Sequence, residues 1–181
     1  AEYMARVDGI VWGTDPRGGY FEGDIFYHPG LAFTITFPSG WKRQNTHAAV
    51  MAATEDQQAA MQLTIASEAA DLSPSDYVAK LAASKKIAGA QGAPSTVGGF
   101  PTWTGRVAVA GEGGAERVLA AAFIRRAPGQ MFQIVGQSAQ PGDARFEQVL
   151  TSARSVRALE DPARLKPTPA RLKLVKASKS G

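Results

Sequence analysis

Phe26-Tyr-His-Pro-Gly-Leu-Ala-Phe-Thr-Ile-Thr-Phe-Pro-Ser-Gly-Trp41 is the stretch whose reading decides the fold. Within it Phe33, Ile35 and Phe37 alternate with Thr34 and Thr36. Successive side chains of a strand point to opposite faces, so this segment reads as a strand with one apolar and one hydroxyl face. Pro38-Ser-Gly-Trp41 then turns the chain.

Downstream, the pattern repeats. Residues Ala48 to Ala53 and Met61 to Ile65 read as the next strands, with Met61, Leu63 and Ile65 facing in and Gln62 and Thr64 facing out. Glu55-Asp-Gln-Gln58 suits the polar loop between them. A helix follows, with Ser73 as N-cap, Pro74 at the first helical position and Asp76 completing a capping box. Tyr77, Val78, Leu81 and Ala82 form its apolar stripe, and Lys85 and Lys86 suit its C-terminal dipole. Residues Gly89 to Gly99 read as a Gly/Pro-rich loop. Strands then run over Pro101 to Val109, Arg117 to Arg126 and Gln130 to Ser138, separated by Gly111-Glu-Gly-Gly114 and Ala127-Pro-Gly129. A second helix spans about Asp143 to Ser155, with Phe146, Val149, Leu150 and Ala153 on one face. Grouped strands with helices between the groups predict an α+β fold, an antiparallel sheet with helices packed on it, and argue against a doubly wound parallel sheet.

The chain divides into an opening segment 1–19, a domain 20–158 and a basic Pro-containing tail 159–181. In the opening segment Tyr3, Met4, Val7, Ile10 and Val11 recur at helical spacing, which makes it a candidate docking segment. The net charge of +4 suggests nucleic acid only until the charges are located. From Arg154 onward eight Lys/Arg face two acidic residues, which leaves the first 153 residues slightly acidic. No basic face over the whole domain is needed, so a nucleic-acid partner is not expected, and membrane contact would rest on the tail alone. No apolar run approaches the roughly 18 residues that would cross a bilayer.

Catalytic signatures are missing from the sequence. It has no cysteine, so thiolate catalysis, disulfides and cysteine-ligated metals are excluded. His28 and His47 stand apart with no HExxH pattern, and read as turn residues flanking the Phe33 strand. Gly111 to Gly114 lacks the Lys-Ser/Thr pair of a phosphate loop, and no serine stands in a G-x-S-x-G elbow. The chain is therefore expected to carry no catalytic residue, metal or cofactor. Candidate interaction residues are the aromatics Trp12, Phe100 and Trp103, with Asp15 beside Trp12.

The Phe26–Trp41 stretch resembles the opening of small domains of the PsbP-like and Mog-type fold group, whose core strand closes on a Pro-x-Gly turn and a tryptophan. Val7-Asp-Gly-Ile-Val-Trp-Gly-Thr-Asp-Pro-Arg-Gly-Gly19, followed by Phe21-Glu-Gly23, resembles the segment after the catalytic domain in periplasmic zinc metallopeptidases of the HtpX and BepA type. These resemblances imply a PsbP-like α/β sandwich serving as a non-catalytic accessory domain in the bacterial periplasm. Zinc would then belong to a parent peptidase domain, and the partner would be that domain or a protein substrate. The alternative is a stand-alone envelope protein that binds lipid or a small molecule in a pocket near Phe100 and Trp103.

Overall fold

The computed structural model describes residues 18–66, 71–139 and 143–166. Trp12, Asp15 and the helix expected over residues 3–11 lie outside them.

Two antiparallel sheets form where the sequence predicted one. Strands β1 (Tyr20–Glu22), β2 (Ile25–His28), β3 (Phe33–Thr36) and β11 (Arg157–Ala158) make a small sheet in the order β1-β2-β3-β11. Strands β4 (Lys42–Asn45), β5 (Val50–Ala53), β6 (Ala59–Ala66), β7 (Gly89–Val97), β8 (Phe100–Ala110), β9 (Glu116–Ala127) and β10 (Gln130–Ser138) make a large one in the order β4-β5-β6-β10-β9-β8-β7. The turn after Phe37 carries the chain from one sheet to the other, so β3 and β4 do not pair.

Helix α2 (Ala144–Arg154) and the small sheet share one face of the large sheet. The Phe33 strand performs as its alternation requires: Phe33 and Ile35 are fully buried, and the Phe33 ring meets Phe132 of β10 at 4.5 Å between centroids. Phe146, Val149, Leu150 and Ala153 of α2 join this core, as their helical spacing predicts. Ser152, buried on the same helix, donates its hydroxyl to the Thr36 carbonyl at 2.7 Å and ties α2 to β3.

Helix α1 (Pro74–Ala83) covers the opposite face. Ser73 caps it by accepting from the Asp76 amide at 3.1 Å, and Pro74 sits in the first turn. Tyr77, Val78 and Leu81 pack with Trp103, Val107, Phe123 and Met131, whereas Ala82 turns to solvent.

Two further expectations need correction. The loop expected over Gly89 to Gly99 is largely strand β7, paired with β8 along its length through the Gly98-Gly99 turn. Both turn glycines have positive φ, +58° and +84°, as a two-residue hairpin turn demands. The expected inward trio on β6 is a pair: Met61 and Leu63 are 3% exposed, but Ile65 is 42% exposed. It lies past the part of the sheet that α2 and the small sheet cover.

Leu159 is buried and its amide donates to the Ala32 carbonyl at 2.9 Å. Beyond it a short helix, α3 (Pro162–Leu165), places Arg164 over the Tyr27 ring at 4.0 Å and pairs it with Glu22 at 2.7 Å.

Candidate functional site

The large sheet has seven strands, and α1 covers only those at the β7–β9 end of its face. Register shows what remains open. Gln44 of β4, Met51 of β5, Gln62 of β6 and Val135 of β10 stand opposite one another in one row across four strands. The next row holds Lys42, Ala53, Ala60 and Gln137. Because side chains alternate along a strand, both rows project to the side away from α2 and the small sheet.

These rows floor an open groove of about 840 Å³. Met51, Ala53, Ala60, Leu119 and Val135 give it a half-buried apolar base. The amides of Gln44, Gln62 and Gln137 stand exposed among them. At the rim Lys42 Nζ lies 3.4 Å from Glu55 Oε1, an exposed pair. Toward α1 the open face ends at a polar line, in which Tyr77 Oη donates to Gln133 Oε1 at 3.0 Å and Gln133 Nε2 reaches Thr64 Oγ1 at 3.5 Å. An apolar base with scattered amides suits binding through contact area, with hydrogen bonds to fix orientation.

The aromatics singled out from sequence lie elsewhere. Trp103 is 5% exposed beneath α1, its ring 5.9 Å from that of Phe123. Phe100 is on the other face of the same strand, half-buried under the Arg126 guanidinium at 4.9 Å. Three residues apart on a strand, they point in opposite directions and line no common pocket. Sequence reading passed over the groove because its residues are small or ordinary. Its one readable signal was the outward assignment of Gln62 and Thr64 on β6.

The perturbed ionisable groups serve local structure. His28 Nδ1 accepts from the Leu31 amide at 3.1 Å and caps a short 3-10 turn, and burial lowers its pKa. The Thr54 hydroxyl and the Gln58 amide, with Arg145 behind them, bring Asp56 down to about 2. Asp143 caps α2, and its carboxyl is lowered by the Arg145 amide and the Ser138 hydroxyl. Among the described residues no group of three or more His, Asp or Glu side chains is placed to hold a metal ion.

No family model matches the chain, and no curated protein matches it. Among solved structures, cyanobacterial PsbP (CyanoP) from Synechocystis sp. PCC 6803 is similar over 81% of this chain and 98% of its own, at 14% identity and a TM-score of 0.53. A Bacteroides thetaiotaomicron protein aligns over 76% of the chain at 14% identity and a TM-score of 0.49, and the chain spans 49% of that protein. LpqN of Mycobacterium tuberculosis, involved in cell envelope biogenesis, aligns over 69% of the chain and 82% of its own at 15% identity and a TM-score of 0.42. The likeness to CyanoP shows a PsbP-like fold, as the Phe26–Trp41 stretch implied.

Proposed function

We propose that this chain is a non-catalytic accessory domain that binds a protein partner through the open face of its large sheet. The observation that carries this reading is the groove itself, an 840 Å³ depression with an apolar floor and exposed amides on a face that α1 leaves uncovered. Apolar centres ringed by polar groups are how protein interfaces are built. The ionisable residues lining the groove are Lys42, Arg43 and Glu55; Arg43 pairs with Asp24 and Lys42 with Glu55, so both cations already have partners. The finer reading, a periplasmic domain attached to or serving a zinc metallopeptidase, is supported by the resemblance of residues 7–23 alone.

The volume of the groove favours a second reading, since small-molecule sites fall at roughly 300–1,000 Å³. One pair of experiments separates the two. Purified chain is run by gel filtration with the catalytic domain of an HtpX- or BepA-type peptidase, as wild type and as Met51→Lys. Co-elution that the variant abolishes supports the accessory reading. Separate elution of both proteins, with an apolar molecule retained on the wild type in native mass spectrometry, supports the ligand reading instead.

A further inference from the structure

Among the described residues nothing covers the groove, since α1 packs on β7, β8 and β9. Residues 1–17 precede the first described residue, and the chain enters the fold beside that open side. Asn45 of β4 donates its Nδ2 to the Gly19 carbonyl at 2.9 Å and reaches the Gly18 carbonyl at 3.4 Å. Strand β4 is an edge of the large sheet, and its Lys42 and Gln44 line the groove. Asn45 alternates with them to the opposite face, so the chain before Gly18 has only to pass over the β4 edge to reach the groove.

We propose that residues 3–11 lie across the groove as an amphipathic helix, and that a partner has to displace them. Their apolar stripe, Tyr3, Met4, Val7, Ile10 and Val11, matches the apolar base of Met51, Ala53, Ala60, Leu119 and Val135. Length fits as well. A helix over residues 3–11 is about 14 Å long, and the open strands β4, β5, β6 and β10, with three gaps between them, span about 14 Å. Residues 12–17, extended, reach roughly 20 Å, enough to round an edge strand when packed layers lie about 10 Å apart. So short a tether holds the segment at an effective concentration of about millimolar, at which even a weak fit keeps the groove occupied. The docking stands on this geometry, whereas the competition with a partner rests on the function proposed above.

The test is paramagnetic broadening in the full chain. The sequence has no cysteine, so Ala5→Cys, off the apolar stripe, takes a single nitroxide label. Amides of Gln44, Met51, Gln62 and Val135 should broaden, and those of Ser95 and Thr96 at the far edge of the sheet should not. Adding Val7→Asp and Ile10→Asp to the labelled chain should abolish the pattern. Broadening centred on the small sheet, or the same weak broadening everywhere, would overturn the docking. So would broadening of an unlabelled, nitrogen-15 chain mixed with the labelled one, since a second copy would then supply the helix. Without the label, the Val7→Asp, Ile10→Asp chain should bind the peptidase catalytic domain about tenfold more tightly than wild type, because the groove is then free. Equal, measurable affinities would overturn the competition. If neither protein binds that domain while the broadening pattern stands, the partner reading fails and the docked segment holds.

Discussion

At the scale of single residues, the ionisable groups of this domain are spent on holding loops and turns. His28 is the clearest case. Burial disfavours its imidazolium, and its Nδ1 accepts from the Leu31 amide. The folded pKa therefore lies below the ordinary 6.5 of the unfolded chain. The unfolded state takes up a proton first as pH falls, so His28 contributes stability above pH 6.5 that is lost progressively below it. The expected outcome is that lowering the pH from 7.5 to 5.5 costs the wild type more in melting temperature than His28→Asn, whose amide oxygen can keep the cap without titrating. Asp56 works in the same direction at lower pH. Held at about 2 by Thr54, Gln58 and Arg145, it should add stability that persists above the ordinary 3.8 and disappears between about 4 and 2. Acid titration followed by circular dichroism should show Asp56→Asn with a shallower loss across that window. The sequence marked His28 as a turn residue next to the Phe33 strand, but not the bond it makes there, and the part Asp56 plays was not legible, because each depends on a partner brought close by local backbone geometry.

At the scale of elements, the chain announced itself where side-chain pattern and burial agree. The Phe33 strand and the Phe146–Ala153 stripe of α2 bury what their periodicity marked, and α1 starts where Ser73, Pro74 and Asp76 placed it. Strand β7 was not legible, because Gly-Ala-Gln-Gly-Ala-Pro-Ser-Thr-Val has no alternation to read. Its place in the sheet comes from backbone pairing with β8, and residues 90–96 are exposed. Packing between elements has a similar hidden determinant at Gly136. A Cβ there would lie 2.5 and 2.7 Å from the two methyls of Val149 and 3.1 Å from the Ala60 carbonyl oxygen, so glycine is what lets α2 sit down on β10. Gly136→Ala should destabilise the domain by about 1–3 kcal/mol, the usual cost of overpacking a filled core. In a Val149→Ala background the same substitution should cost less, a non-additivity that a double-mutant cycle by denaturant unfolding will reveal.

At the scale of the whole molecule, the proposed binding face follows from a mismatch of sizes. Seven strands spaced about 4.8 Å apart span roughly 29 Å, whereas the 10-residue helix α1 is only about 15 Å long. One helix cannot cover the sheet, and the β4–β6 and β10 side of that face stays open with Met51, Val135 and their neighbours half-buried. The sequence pointed to an α+β fold and, through the Phe26–Trp41 stretch, to its PsbP-like form. It could not point to the groove, because which face of β5 and β10 is left bare depends on strand order and not on local pattern. The candidates it raised instead, Phe100 and Trp103, are divided between the two faces. The central claim is that the bare face binds, and chemical-shift mapping of the full chain on addition of the peptidase catalytic domain tests it most directly. The account predicts shifts clustered at Gln44, Met51, Gln62, Val135 and Gln137 that vanish in Met51→Lys. Shifts confined to the small sheet, or none at all, would contradict it.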